Sequence, residues 1–427
     1  MNHTVKLLLA HVARIAALVA ALAATSCATT PRSADPPARR AKPDQARSAA
    51  PAVQALRAGR FDEALGLADT VLTRDADNAR VNVVAAIVRY KRAMDPLGRS
   101  ALGLLSGRRG GVSERAVALR EAMARTAKAL GRVERHLARA APYRDFSLEL
   151  CIACWRVDWN HDGRINYRDA RIFAIERDAN GQRIAPDDPR RRPTFRFDVG
   201  DIYWARAFVA FSRAALDLAL AYDWRDIETI VRHARRRGEL RIPLVDKGRV
   251  IGARAHVLAG LRHSDAARRA YLAETDDRRE WLPNPRQKDH PLPLPVDAAL
   301  YETWRGVLVD LTALVEGKTG LGVRDVAATL FGRRGRWAKR LGRLPDSFID
   351  IARMFREPGD LVIDLHHVRP RAFLRNPELA LRATFGAALR TGMARSGLGQ
   401  RLSRVQQQLL RGESTLGRKL RYLLWIN

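Results

Sequence analysis

Apolar residues recur at helical spacing along most of the chain from Ala52 onward. The longest stripe lies in residues 116–141 and comprises Val117, Leu119, Met123, Ala127, Leu130, Val133 and Leu137. A more aromatic stripe follows Asp198, which has the position of a helix cap, and comprises Trp204, Phe208, Phe211, Ala215, Leu218 and Tyr222. Further stretches with this period lie at 226–237, 249–261, 264–274, 297–316 and 346–355, and the best strand candidate is Leu361–Val368. This period predicts a mainly α fold: a multi-helix C-terminal body with little strand.

The first helical unit has the spacing of a helix pair. Residues 55–65 read ALRAGRFDEAL, and Ala68 and Leu72 continue the period, with Gly59 in the turn. The segment resembles one tetratricopeptide repeat, and an ordinary helical hairpin is the alternative. Pro51 is expected to compromise the first helix. Because a solenoid needs about three repeats, a single helical-repeat-like N-terminal unit must pack on the rest of the chain.

The N-terminus has the pattern of an export signal. Lys6 and Arg14 precede the short apolar run Ile15–Ala24, which is too short to span a bilayer. The residues Ala24-Thr25-Ser26-Cys27 follow and resemble a bacterial lipoprotein lipobox. The resemblance implies a lipid on Cys27 and anchoring at the periplasmic face of the outer membrane. The alternative is an ordinary signal peptide that is cut near the same place.

These patterns predict five units along the chain. They are a signal peptide (1–26), a Pro/Ala-rich tether (27–50), the tetratricopeptide-like unit (51–95), a helical segment (112–236) and a helical C-terminal body (237–427). Residues 98–111 are expected to form a Gly/Arg-rich loop between two of them. A second loop is expected at Glu280–Pro295, which is rich in Pro, and is the first place to look for a partner of the C-terminal half.

Residue types and spacing together specify chemistry only at Asp158–Asp169. Oxygen donors fall at the first, third, fifth, ninth and twelfth positions, as Asp158, Asn160, Asp162, Asn166 and Asp169, and the Arg164 carbonyl adds another. Gly163 is sixth, where the chain must turn with positive φ, and Ile165 is eighth, where an apolar residue is expected to face the core. A hard cation such as Ca²⁺ takes six to eight oxygens of these kinds.

This loop resembles an EF-hand and, more closely, its dockerin variety. The resemblance implies that Asp158, Asn160, Asp162, Arg164, Asn166 and Asp169 bind Ca²⁺. Asp169 stands where many EF-hands have Glu, which implies modest affinity. An Asx-rich turn that binds nothing is the alternative. A dockerin has two such loops, but the second candidate, Asp178–Asp187, is expected to be a tight turn because Ile184 falls one position late.

Three Cys and a strong positive charge bear on compartment and partners. The chain has 76 Lys and Arg against 46 Asp and Glu, a net charge of +30. The basic residues are scattered, so the charge favours anionic lipid or lipopolysaccharide over nucleic acid. Cys151-Ile-Ala-Cys154 has three interpretations, of which two buried small side chains are favoured over a disulfide and over a redox pair.

Catalytic motifs are absent or incomplete. Gly317-Lys318-Thr319 lacks the earlier Gly of a phosphate-binding loop. Asp364, His366 and His367 could hold a metal, but the neighbouring residues His366 and His367 would point to opposite faces of an extended segment. The sequence therefore predicts a lipid-anchored, non-enzymatic protein that binds Ca²⁺ structurally and contacts envelope proteins or anionic lipid. Two alternatives stay open: an envelope enzyme with its site in the C-terminal half, and a calcium-dependent docking module.

Overall fold

A computed structural model describes residues 39–40, 43–106, 111–159, 162–178, 181–291, 296–324, 346–364, 379, 382 and 385–401. The fold is mainly α, as predicted, with a few short antiparallel strands. Within these ranges no helix is both long and apolar enough to cross a bilayer. The lipidation candidate Cys27 and the signal peptide lie outside the described residues.

Four helices form the N-terminal part: α1 (Pro43–Arg57), α2 (Phe61–Leu72), α3 (Ala79–Ser106) and α4 (Val112–Ala140). Gly59 turns the chain between α1 and α2 at φ +73°, as its position predicted. Helix α4 confirms most of the long predicted stripe, since Leu119, Leu130, Val133 and Leu137 are buried, but Val117 near its start is exposed.

Three expectations for this part are wrong. Helix α1 begins at Pro43, so residues 43–50 belong to a helix and not to the tether. It also continues through Pro51, because Ala52, Val53 and Leu56 are buried there and this packing outweighs the missing N–H donor. Helix α3 extends to Ser106, so the loop predicted for residues 98–111 is largely helical.

The central helices are α5 (Tyr167–Ile172), α6 (Val199–Ala221), α7 (Ile227–Arg237), α8 (Lys247–Ala273), α9 (Ala298–Glu316) and α10 (Ile351–Arg356). Asp198 caps α6 as predicted: its carboxylate accepts a hydrogen bond from Gly200 N, and Asp201 reciprocates to the backbone of Asp198. The two helices expected at 249–261 and 264–274 are one continuous helix, α8. Helices α6 and α8 form the most extensive contact between described elements.

Short antiparallel strands join distant segments. Strand β1 (Leu148–Leu150) pairs with β2 (Phe195–Phe197), and β3 (Glu239–Ile242) pairs with β6 (Leu361–Asp364). A three-stranded sheet has the order β4 (Leu321–Gly322), β5 (Ser347–Ile349), β7 (Leu389–Thr391). Strand β6 confirms the first half of the predicted strand, whereas His366 and His367 lie outside the described residues.

The main hydrophobic core runs across the predicted unit boundaries. A single cluster of buried side chains extends from Ala49 in α1 to Leu308 in α9. Smaller clusters surround Val323 and Ile349, and Val307, Leu314 and Leu398. The units predicted at 51–95 and 112–236 therefore share one core with the start of the C-terminal body.

Candidate functional site

The segment that leads into the predicted calcium loop, residues 158–169, is cross-linked and packed. Cys151 and Cys154 form a disulfide, and Cys154 is exposed, so the favoured expectation of two buried thiols is wrong. Trp155 follows and is buried against Phe61, with ring centroids 5.2 Å apart. Trp159, the second loop residue, stacks on Trp155 at 6.4 Å and packs edge-on against Phe173 at 4.7 Å. The loop thus begins on a fixed aromatic base.

The Asp158 carboxylate organises the first half of the loop. Its Oδ1 accepts a hydrogen bond from Asp162 N (3.1 Å), and its Oδ2 accepts one from Gly163 N (2.9 Å). Gly163 has φ +88°, the left-handed conformation that its position predicted. Asp162 Oδ1 in turn accepts from Arg164 N at 2.9 Å. The chain is therefore folded back on itself by two carboxylates at its first and fifth positions.

Asp169 closes the other end of the loop. It is only 2% exposed; its Oδ1 accepts from Trp159 N and its Oδ2 accepts from Asn166 N, both at 2.9 Å. Asn166 caps helix α5 by accepting from Arg168 N at 2.8 Å.

The loop departs from the prediction in two respects. Ile165 is 55% exposed, so it does not face the core. Among the described residues, only Asp198, Glu274 and Glu280 bring three acidic ligand atoms within 4.8 Å of one another, so Asp158, Asp162 and Asp169 stand further apart than that. The donors are all oxygens, which suits Ca²⁺, but they need to move closer to bind one ion. Asn160 lies outside the described residues.

The second Asp/Asn/Gly segment is a tight turn, as predicted. Gly181 has φ +78°, Asp178 Oδ1 accepts from Gln182 N at 2.9 Å, and Ile184 N donates to the Glu176 carbonyl at 3.0 Å. Arg177 and Arg183 form an antiparallel bridge. These contacts are those of a hairpin turn and give no support to a second calcium loop.

A buried carboxyl cluster lies where the N-terminus of α6 meets the C-terminus of α8. Its members are Asp198, Asp201, Glu274 and Glu280, of which Glu280 is only 2% exposed. The long helix α6 directs its positive end at Asp198. Tyr271, fully buried on α8, donates its hydroxyl proton to Asp201 Oδ1 at 2.8 Å.

Hydrogen-bond donors are few around the cluster. Glu274 Oε2 accepts from Gln287 Nε2 at 3.2 Å, but Glu274 Oε1 is buried without a hydrogen-bond donor. Glu280 Oε1 accepts from Arg278 N at 3.2 Å and lies 3.8 Å from Arg196 Nη1. Arg196 is mainly engaged with Asp276, at 2.8 Å. The negative charge of the cluster is therefore only partly compensated by the described side chains.

Bound protons neutralise part of the remaining negative charge of the cluster. Burial, followed by a hydrogen bond to Asp198, raises the pKa of Glu274 to about 11. Burial raises the pKa of Glu280 to about 7, and burial together with the Asp198 charge raises the pKa of Asp201. A protonated Glu274 can donate its proton to Asp198, its side-chain hydrogen-bond partner. The arrangement is thus suited to sharing protons, and its three close carboxylates are also near enough to share one cation.

Apart from the capping role of Asp198, no pattern in the sequence predicts this cluster. Glu274 ends α8, and Glu280 begins the Pro-rich segment predicted to be a loop that is either functional or loosely ordered. The described part of this segment is irregular, as predicted, but it is not loosely ordered, because Glu280, Trp281, Asn284 and Gln287 are buried. Trp281 packs on Phe195 with ring centroids 4.6 Å apart. Residues 292–295 lie outside the described residues.

No family model, curated protein or solved structure matches the chain at a significant level. Function must therefore be inferred from the chemistry of the calcium loop and its surroundings, together with the N-terminal signal.

Proposed function

We propose that this chain is a non-enzymatic protein, anchored by a lipid on Cys27 to the periplasmic face of the outer membrane, that binds Ca²⁺ structurally and contacts other envelope components. The observation that carries the calcium assignment is the conformation of the 158–169 loop. Asp158 draws the backbone around itself, Gly163 makes the turn at φ +88°, and Asp169 is held at the opposite end. These features support a loop in which a bound cation would offset part of the electrostatic repulsion among the carboxylates.

The disulfide supports a compartment outside the cytoplasm. Cys151 and Cys154 are linked, and Cys154 is exposed to solvent, where a reducing environment would reach it. Disulfides persist in the oxidising periplasm and are rare in the reducing cytoplasm. The cross-link therefore agrees with the export signal at residues 1–26.

We expect Ca²⁺ to raise the melting temperature of the protein. At about ten times Kd, binding to the folded state adds about 1.4 kcal/mol to the free energy of unfolding, which corresponds to a shift of about 1–2 °C in a chain of this length. The double substitution Asp158→Asn/Asp162→Asn should abolish the shift. Each Asn keeps one acceptor oxygen, so Asp162→Asn can still accept from Arg164 N, whereas Asp158→Asn loses one of the two backbone hydrogen bonds that the carboxylate oxygens accept. The metal-free variant should therefore melt somewhat below the wild type, and the calcium shift is compared within each variant. The measurement is a thermal melt in EDTA and in millimolar calcium.

The matched control is Asp187→Ala, which removes an exposed carboxylate from the neighbouring hairpin and should leave the calcium shift intact. A calcium shift that is unchanged in the double Asn variant would show that the 158–169 loop is only a turn. No shift in the wild type at several millimolar calcium would have the same meaning.

Lipidation is tested separately. Cys27→Ser should move the protein from the membrane fraction to the soluble periplasmic fraction, because it removes the thiol that would carry the lipid. The wild-type N-terminal peptide should carry acyl mass in a mass spectrum. Membrane association that survives the substitution, with no acyl mass on the wild type, would refute the anchor.

A further inference from the structure

Helix α7 presents a basic face to solvent. Its apolar residues recur at helical spacing and lie inward, at Ile227, Ile230, Val231 and Ala234. Its exposed residues fall on another side, at Arg232, His233, Arg236 and Arg237. We call these four exposed side chains the α7 basic face. The helix is thus amphipathic with a cationic outer side.

The arginines of this face are not neutralised within the described part of the chain. No carboxylate there forms an ion pair with Arg232, Arg236 or Arg237. Elsewhere arginines are commonly paired, as are Arg206 with Glu134 at 2.8 Å and Arg249 with Asp217 at 2.8 Å. The α7 basic face differs from these sites in leaving its arginines free to bind an outside anion.

Nearby acids are occupied by other groups. Asp226 caps the N-terminus of α7 and also accepts from Ser113 Oγ at 3.0 Å. Glu228 accepts from Val112 N at 3.2 Å. Glu239, just beyond the helix, lies 3.4 Å from Arg241. The acids at both ends of α7 therefore have hydrogen-bond or ion-pair partners outside the basic face. Hydrogen bonds from Thr229 and Ser113 lower the pKa of Asp226 most, and the charge of Arg232 in the basic face lowers it further.

Helix stability alone does not account for this face. Cations in the last turn favour the helix dipole, but Gly238 already ends α7 in the left-handed conformation and donates to the Ala234 carbonyl. Arg232 and Arg236 are spaced as a like-charge pair at i and i+4, which is unfavourable in an isolated helix. An anionic surface would relieve this repulsion.

We propose that the α7 basic face binds the phosphate groups of anionic phospholipids at a membrane surface. The proposal rests on the proposed function only for its location, since a lipid on Cys27 would keep the body close to a bilayer. Guanidinium groups match phosphate oxygens in pairs, and each arginine near an anionic bilayer strengthens binding by about five-fold. Three arginines would together contribute on the order of 100-fold.

The test uses the full chain with Cys27→Ser, so that no lipid is attached, in EDTA, so that no calcium bridges the lipids. Co-sedimentation is measured with vesicles of phosphatidylcholine alone and with vesicles that contain phosphatidylglycerol. We expect binding only to the latter, and weaker binding as salt rises. The triple substitution Arg232→Ser/Arg236→Ser/Arg237→Ser should weaken it by on the order of 100-fold.

Two further variants make the result specific. Arg74→Ser/Arg99→Ser/Arg144→Ser removes the same charge from exposed positions elsewhere and should weaken binding far less. The triple Arg→Lys change at Arg232, Arg236 and Arg237 keeps the charge and should retain most of the binding. If circular dichroism shows that the triple Ser variant does not fold, the triple Arg→Gln change at the same positions removes the charge with a better helix former and should weaken binding by the same factor.

Three outcomes would overturn the proposal: equal loss in the control variant, wild-type binding by the triple Ser variant, or binding to lipopolysaccharide or duplex DNA with none to phosphatidylglycerol. The assay contains neither calcium nor the lipid anchor. Its failure is therefore distinguishable from failure of the calcium loop or of lipidation at Cys27.

Discussion

Glu274→Gln should make the protein more stable at neutral pH. The amide has the shape of the protonated carboxyl, can donate to Asp198 and can still accept from Gln287. The wild type must hold a proton on Glu274 in the folded state at a pH where the unfolded chain has lost it. Between pH 4.5, the ordinary pKa of Glu, and pH 7, holding this proton lowers the free energy of unfolding by about 3 kcal/mol. The substitution removes this loss.

The sign of the pH dependence follows from the raised pKa. The folded state binds more protons than the unfolded state between pH 4.5 and about 11, so the free energy of unfolding falls as pH rises through this range. The Glu274 contribution is fully present below pH 4.5 and is lost progressively above it. Glu280, whose pKa is raised to about 7, adds a smaller slope of the same sign. Urea unfolding at several pH values would show a shallower slope in Glu274→Gln.

The matched control is Glu302→Gln, which removes an exposed carboxylate that pairs with Arg305 at 2.9 Å. Such surface pairs contribute at most about 1 kcal/mol, so the control should keep the wild-type slope. Two results together would contradict this prediction. The Glu274→Gln variant would be less stable than the wild type, and divalent cations would stabilise the wild type but not the variant. The cluster would then hold a cation and not shared protons.

Gly260→Ala should destabilise the protein by about 1–3 kcal/mol, although alanine is the better helix former. Gly260 lies within α8 where that helix meets α6, and an added Cβ would come within 2.6 Å of the Phe211 ring. Three ring atoms lie within 2.8 Å of the new methyl, so the ring or the helix must move. Denaturant unfolding would measure the loss.

Gly252→Ala on the same helix provides a control of opposite sign. The nearest atom to its added Cβ is Asp217 Oδ2 at 4.0 Å, an ordinary contact. Only the higher helix propensity of alanine then acts, and the free energy of unfolding is expected to rise by up to about 1 kcal/mol. Equal effects from the two substitutions would show that α6 and α8 are not in close contact at Gly260.

The α6–α8 contact also determines where the carboxyl cluster forms. It sets Asp198 at the start of α6 beside Glu274 at the end of α8. Gly200 permits this approach, because a Cβ there would lie 2.6 Å from the buried Tyr271 ring. The stability and proton binding of the protein are therefore linked through the same helix pair.

Local patterns in the sequence determined the fold class and several turns. The helical period predicted α4 and α6, Asp198 was recognisable as a cap, and Gly59 and Gly163 both take the positive φ that their positions required. These features depend on residues a few positions apart, so the sequence alone specifies them. The arrangement of carboxylates around Gly163 follows from the same local spacing.

The tertiary structure decided what depended on distant contacts. Burial of Ala52 and Leu56 overrode the helix-breaking tendency of Pro51, and the packing of Trp281 drew a Pro-rich segment into the core. Ile165 is exposed because the aromatic base of the loop is formed by Trp155 and Trp159 instead. The carboxyl cluster required α6 and α8 to pack side by side in opposite directions, so that the start of α6 lies beside the end of α8, and no short-range pattern encodes that packing. Its raised pKa values arise from burial, which only the folded chain provides.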